Sequence, residues 1–384
     1  MKLRRIAVAG LALAVLTGAA PAALAATPAA VVRQELPPVN PVALSQAIAG
    51  LPDAAATSAQ VRVGGSAGSW QGVSGVRDLR TGRPVPARAK FRAGSVTKVF
   101  TAAVVLQLAA EGKVGLDQTV QHYLPGLLPA SYEPVTVGQL LNHTSGLPPA
   151  ALADGFDEIY RRSFEHWSPA RIVALAVRAP MEFHPGERQN YLNINYTVAG
   201  MLIEKVTGSS YERQVAARIL RPLGLRDTSL PTDDPFLHGP HVRGYQEVDG
   251  KLVDVTVWGH SFEWAAGNLV STTADLERFT LALFRGEVVP AGQLEHMFTG
   301  PVLADGSRGR YSMGLTRLEL PGVGVMWGKT GGRYGYLTGM GGVRHPDGVG
   351  EPVRTLVYSY TSVDAKSPAE KPGVMKIILA AFAG

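Results

Sequence analysis

Cysteine occurs nowhere in the 384 residues. Its absence excludes a disulfide framework, a thiolate zinc site, a cysteine nucleophile and an anchor built on a lipidated cysteine. Charged residues are sparse at 18%, while hydrophobic ones reach 46%. That balance leaves ample material for a core and excludes a chain disordered by composition. The 44 glycines and 27 prolines indicate many tight connections, with neither a collagen-like period nor an internal repeat. The length allows two or three domains, or one large domain with an insertion.

Long apolar runs are lacking too, with one partial exception near the start. Ile6–Ala20 is apolar but short for a bilayer span. It follows Lys2, Arg4 and Arg5, and Ala23-Leu24-Ala25 then supplies the small residues of a cleavage site, so residues 1–25 read as an export signal. Removing it takes Lys+Arg from 37 to 34 against 31 Asp+Glu, and the net charge from +6 to +3. So small a charge argues against a nucleic-acid partner. Val374–Phe382 is also too short to span a membrane. The mature chain is expected to be a soluble, secreted monomer without stable membrane insertion.

Residues 26–40, with Pro28, Pro37 and Pro38, read as a loose leader. Asn40-Pro41 offers an N-cap followed by proline at the first helical position, opening a helix to about Gly50. Strands are expected at Ala59–Val63 and Ser69–Val76. Later ones are expected at Arg310–Leu320, Gly324–Trp327, Tyr336–Val343 and Thr355–Tyr360, with a glycine cluster at Thr330–Gly335 as a separator. Ser95–Glu111 is the clearest helix: Val99, Ala102, Ala103, Leu106 and Ala110 line one face, and Gly112 stops it. Further helices are expected at Val137–Leu141, Pro169–Val177, Asn195–Val206, Tyr211–Ile219, Thr273–Phe284 and Gly373–Phe382. The strands lie in 41–112 and 300–384, and 113–299 is mainly helical. This predicts an α+β fold: an antiparallel sheet built from N- and C-terminal segments, flanked by helices, with an all-helical inserted region.

Four patterns look catalytic but have plainer readings. Gly64-Gly65-Ser66-Ala67-Gly68 fits the GxSxG of a nucleophile elbow, which needs a helix after the turn; a strand follows here, so a hairpin is expected. Gly328-Lys329-Thr330 resembles the end of a phosphate-binding loop, but Val323 stands where that motif needs glycine, and no helix follows. His238 and His241 have ligand-like spacing but sit in a Gly/Pro loop without a helix or a nearby acidic partner, and read as solvated or structural. His143-Thr144-Ser145-Gly146 reads as a loop tied by its own side chains.

Ser95-Val96-Thr97-Lys98 differs from these. It is the only Ser-x-x-Lys in the chain and opens the strongest helix. One helical turn separates the two side chains, so the amine can reach the hydroxyl, and the helix start offers N–H groups to an oxyanion. Two further patterns follow in order: Tyr191-Leu192-Asn193, the only Tyr-x-Asn, and Lys329-Thr330-Gly331 on a late strand.

This series resembles the motifs of the serine penicillin-recognising hydrolases, which include class C β-lactamases, serine D-alanyl-D-alanine carboxypeptidases and related esterases. The resemblance runs from about Ala59 to the C-terminus. Phe91–Lys113, Leu124–Pro129 and Val198–Gly208 look most like the secreted Streptomyces-type carboxypeptidases. Two departures stand out. Leu192 replaces a usual serine, and Lys329 stands where that carboxypeptidase group carries histidine, although lysine is common there in the β-lactamase branch.

The resemblance implies that Ser95 is the nucleophile of an acyl-enzyme. Lys98 or Tyr191 would be its base, and no metal or cofactor takes part. One ammonium at about 4 Å supplies on the order of 4 kcal/mol at an effective dielectric of about 20. Lys98 and Lys329 together could thus make Tyr191 a phenolate, provided burial does not cancel the gain; a lysine base stays open. The resemblance also implies an oxyanion hole from the N–H groups of Ser95 and Gly332, the latter just after Gly331. Asn193 would hold the substrate amide and Lys98, and Thr330 and Lys329 the substrate carboxylate. No Glu-x-x-Leu-Asn follows Ser95, which leaves water activation to Tyr191. Arg333 reads as a carboxylate anchor or as a solvated turn residue, with Arg317 a weaker candidate. The expected function is a secreted D-alanyl-D-alanine carboxypeptidase acting on peptidoglycan stem peptides. A class C-like β-lactamase or an esterase is the alternative, and a non-turnover sensor of β-lactams or cell wall belongs to another class.

Overall fold

The computed structural model describes residues 36–150, 155–367 and 369–383; the export signal and the first part of the leader lie outside them. Asn40 caps the Pro41–Ala47 helix, its side chain accepting from the N–H groups of Val42 and Ala43 at 3.1 and 3.0 Å. The strands in chain order are β1 (Ala56–Gly64), β2 (Trp70–Asp78), β3 (Arg83–Pro84), β4 (Phe91–Gly94), β5 (Tyr245–Val248), β6 (Lys251–Asp254), β7 (Leu269–Ser271), β8 (Thr316–Leu320), β9 (Gly324–Arg333), β10 (Tyr336–Val343) and β11 (Arg354–Ser362). Seven form one antiparallel sheet in the order β3-β2-β1-β11-β10-β9-β8. The two ends of the chain meet at β1 and β11, where Val61 lies opposite Tyr358.

β1 and β11 are buried along nearly their whole length because both faces of the sheet are covered. On one face Ile377, Ile378 and Phe382 of the Pro372–Phe382 helix pack with Leu44 against Val61, Val63 and Tyr358. On the other, Leu276, Phe279 and Leu283 of the Thr273–Phe284 helix join the larger core. The Thr97–Ala110 helix lies inside that core with eleven of its fourteen residues buried, as a helix apolar all round requires. Its Phe100 stacks on Phe279 at 3.8 Å. Each such valine, leucine or phenylalanine contributes roughly 1.5–3 kcal/mol, so the helix start is anchored by its own packing.

Several elements differ from the sequence expectation. The chain from Arg310 to Leu315 is a loop, and strand begins at Thr316. Gly314, at φ 100°, turns the backbone against the buried helix, where a Cβ would come within 2.8 Å of Ala102. β9 does not stop at Trp327 but runs through the glycine cluster to Arg333; the turn is confined to Tyr334-Gly335, with Gly335 at φ 79°. The middle region holds the β5–β6 hairpin and β7 as well as helices. After Val215 the helix from Tyr211 continues as a π turn, Ala216–Leu220. Gly65 and Gly68 sit at φ 106° and 110° in the β1–β2 turn, so Ser66 lies in a hairpin. Among the described residues no helix is long and apolar enough to cross a membrane.

Candidate active site

Ser95 sits between the end of β4 and the first turn of the buried helix. The turn is held by Thr97, whose hydroxyl donates to the Gly94 carbonyl at 2.6 Å and accepts from the Leu269 N–H at 3.0 Å. Lys98 follows on the same helix face, completely buried. Its Nζ lies 3.2 Å from Ser95 Oγ, 2.7 Å from Asn193 Oδ1 and 2.8 Å from the Ala266 carbonyl oxygen. Burial, then the charges of Lys329 and Lys366, hold its pKa well below the usual lysine range.

Asn193 begins the long Asn193–Thr207 helix, with Tyr191 and Leu192 just before it. The Tyr191 ring lies under two amines, Lys98 Nζ at 5.0 Å and Lys329 Nζ at 4.6 Å from its centroid. Its hydroxyl is buried and makes no hydrogen bond among the described residues. Burial pushes the Tyr191 pKa up, and the nearby Ser95 hydroxyl offsets only part of the rise. Phenolate formation driven by the two lysines is therefore not what this environment favours. Both amines stand over the ring face, and both have depressed pKa values: Lys329 falls to about 7, through burial and then Arg310.

Lys329, Thr330, Gly331 and Gly332 lie on the last turnless stretch of β9. β8 pairs only as far as Thr316 opposite Gly328, so among the described residues no sheet strand pairs with Lys329–Arg333 on that side. Gly331 faces Ser95: a Cβ there would collide with the Ala93 carbonyl oxygen and stand 3.0 Å from the Ser95 backbone nitrogen. The glycines that read as a loop signal serve close approach to the Ser95 turn. Lys329 is buried and donates to the Thr330 carbonyl at 2.8 Å, while Thr330 is exposed.

Arg333 is neither a solvated turn residue nor an available anchor. It ends β9, is buried, and forms an ion pair with Glu263. Arg317 is likewise engaged, with Glu319 at 2.6 Å. Among the described residues, two cations beside the site that sequence reasoning did not single out are free. Arg310 lines a cavity with Thr316, Lys329 and Thr330 that extends over Leu318, Met326 and Tyr358 to Ile378 of the C-terminal helix, and Lys366 lines a second with Ser95, Tyr191 and Asn193. Neither side chain has an ion pair or hydrogen bond among the described residues. No short motif marks either one, because each reaches the site from an irregular connection.

The remaining patterns are also placed. His143, buried at φ 64°, accepts from the Leu192 N–H at 3.4 Å through Nδ1, and its ring stands 4.5 Å from that of Tyr191. Ser145 donates to Asn195 at 2.6 Å. The loop thus braces the Tyr191–Asn195 segment. His238 does have an acidic partner, Asp234 at 2.6 Å, contrary to the expectation from sequence, and His241 pairs with the Gly239 carbonyl at 2.8 Å. Among the described residues no group of side chains is arranged to hold a metal.

A family model described as Beta-lactamase matches residues 5–345. The chain belongs to the beta-lactamase family. It is similar to penicillin-binding protein 4* of Bacillus subtilis (strain 168), 27% identical over 304 residues that make up 74% of this chain and 63% of that one. It is 33% identical over 182 residues to esterase EstB of Burkholderia gladioli, covering 43% of this chain and 45% of the other. The chain therefore spans less than two thirds of the length of these curated relatives. A crystal structure of a D-stereospecific amidohydrolase from Streptomyces sp. superposes with TM-score 0.77 at 31% identity, covering 90% of this chain and 99% of that one. The beta-lactamase family fold and these relatives place the protein among the serine hydrolases.

Proposed function

We propose that the protein is an exported serine hydrolase that releases a carboxylate-ended D-residue from an acyl group, as a D-alanyl-D-alanine carboxypeptidase does on peptidoglycan stem peptides. The charge of two cavities, one lined by β9 residues and the other by Ser95, carries this reading. Arg310 and Lys329 line one and Lys366 the other, and neither lining contains an aspartate or glutamate. A substrate bearing a free carboxylate meets complementary charge there, while one bearing a free ammonium meets only like charge.

The hydrogen bonds of Lys98 suggest its role. A neutral amine has two N–H bonds and one lone pair. Asn193 Oδ1 and the Ala266 carbonyl are both acceptors and take the two hydrogens, which leaves the lone pair for the Ser95 hydroxyl. Ser95 Oγ then attacks the carbonyl carbon as its proton passes to Lys98. The C–N bond breaks as Tyr191 gives its proton to the departing amine, and Tyr191 recovers a proton from the Lys98 ammonium. In the second half-reaction water attacks the ester, Lys98 takes its proton, and Ser95 Oγ leaves and regains it. The N–H groups of Ser95 and Gly332 would stabilise the oxyanion in both.

A second reading, an amidohydrolase acting on D-residues without a free carboxylate, is favoured by the likeness to the Streptomyces amidohydrolase. Three substrates separate the readings: a peptide ending in D-Ala-D-Ala, the same peptide amidated at its C-terminus, and a cephalosporin. Preference for the free acid by about tenfold or more in kcat/KM supports the carboxypeptidase. Preference for the amidated peptide supports the amidohydrolase, and fast cephalosporin turnover a β-lactamase. Export is tested by recovering from the medium a chain that begins after Ala25.

A further inference from the structure

Lys366 takes no part in the proton transfers just described, yet it enters the active-site cavity. It lies in the connection between β11 and the C-terminal helix, exposed to solvent, and lines the cavity with Ser95, Tyr191, Asn193 and the apolar side chains of Leu192 and Phe262. Its Nζ lies 5.8 Å from the centroid of the Tyr334 ring and has no ion pair or hydrogen bond among the described residues. The surrounding cleft wall, then Arg333, lower its pKa to about 8, so it is still mostly charged at neutral pH.

Its position along β9 distinguishes it from Arg310. The cavities of Arg310 and Lys366 share no lining residue. Thr330, beside Arg310, and Gly332 are separated by two residues of strand, about 6.6 Å at roughly 3.3 Å per residue. The space where a Cβ of Gly332 would stand is 3.8 Å from the Ala365 carbonyl, next to Lys366. The Ser95 nitrogen stands between them, beside Gly331. A substrate laid along this free edge with its terminal carboxylate at Thr330 has its reacting carbonyl at Ser95, and its acyl portion runs toward Lys366.

We infer that Lys366 is a specificity residue for the acyl half of the substrate, selecting acyl groups that carry a carboxylate beyond an apolar portion. The apolar portion packs on Leu192 and Phe262, and the carboxylate pairs with the Lys366 ammonium at the open side of the cavity. The inference rests on the acyl-enzyme reading above and adds a second anionic determinant to the carboxylate of the leaving group.

Two penicillins test it, benzylpenicillin and carboxybenzylpenicillin. They share the ring carboxylate and differ by one carboxylate on the acyl side chain. The readout is the ratio of their second-order acylation rates at neutral pH in the full-length protein, in Lys366→Met and in Lys366→Arg. The Met variant is expected to lower the ratio (carboxybenzyl over benzyl) by about five- to tenfold, the effect of one partly exposed charge-assisted contact. The Arg variant is expected to keep most of it. A ratio altered less than twofold by Lys366→Met overturns the inference, including the case in which both rates fall together because Lys366 serves the fold or the shared carboxylate. Failure of both penicillins to acylate the protein overturns the acyl-enzyme reading and the inference with it.

Discussion

Lys98 Nζ stands 3.2 Å from Ser95 Oγ, and its other two partners, Asn193 Oδ1 and the Ala266 carbonyl, are both acceptors. Burial and two neighbouring lysines favour its neutral form, while burial keeps Tyr191 protonated. The two environments therefore support the proposed division, with Lys98 as base and Tyr191 as proton donor.

That division makes leaving-group chemistry diagnostic. Tyr191→Phe should slow acylation by an amide substrate by about 10²–10⁴, the usual worth of positioned proton transfer. Acylation by a p-nitrophenyl ester, whose leaving group departs without a proton, should slow by less than about tenfold. Pre-steady-state burst rates measure both. Equal losses on the two substrates would make Tyr191 a base rather than a donor.

The pH dependence should differ between charged and neutral substrates. Lys329 has a pKa lowered to about 7, so its charge is present below that pH and lost as pH rises through it. The advantage of a carboxylate-bearing peptide over a neutral ester in kcat/KM should therefore shrink above about pH 7. Stability carries the opposite sign at this residue. The unfolded chain, with lysine near 10.4, binds more protons than the folded one, so the contribution of Lys329 to stability rises with pH between about 7 and 10.4. Parallel pH profiles for the two substrates would remove Lys329 from carboxylate binding.

Arg333→Met should act on the fold. It leaves Glu263 without its buried partner, a loss of about 3–5 kcal/mol when one member of such a pair is removed. A lowered Tm, with equal proportional losses on peptide and ester, is expected. Arg310→Gln should instead cut kcat/KM by about tenfold on the carboxylate peptide, with much less effect on the ester and on Tm.

The contrast between these two arginines shows what was legible in the sequence. Ser95 and Lys98 are one helical turn apart, so local spacing alone placed them together. Asn40 and Pro41 likewise signalled a helix start that involves only the next few residues. The sheet was readable because its strands carry alternating or continuous apolar patterns at both ends of the chain. Arg333 was misplaced because its partner, Glu263, is remote in sequence and the glycines before it imitate a turn. Those glycines serve instead to bring β9 against Ser95. The β5–β6 hairpin was missed because its strands are four residues each and mix buried, half-buried and exposed positions without a clean alternation. Arg310 and Lys366 sit in irregular connections, where only the fold brings a side chain to the site.

Gly331→Ala offers a test of the close approach itself. The added methyl would meet the Ala93 carbonyl and the Ser95 nitrogen, forcing β9 away from Ser95. Disturbing an oxyanion donor typically costs about 10²–10³ in rate. That loss should appear in acylation by all substrates while the far-ultraviolet circular dichroism is retained. An alanine variant with full activity would place the oxyanion site elsewhere.

The identity of the nucleophile is tested most directly by mass spectrometry after brief incubation with benzylpenicillin. The expected result is one added penicilloyl mass on the proteolytic peptide containing Ser95, absent in Ser95→Ala together with hydrolytic activity. An adduct on another serine, such as Ser66 or Ser145, or undiminished hydrolysis by Ser95→Ala, would contradict it.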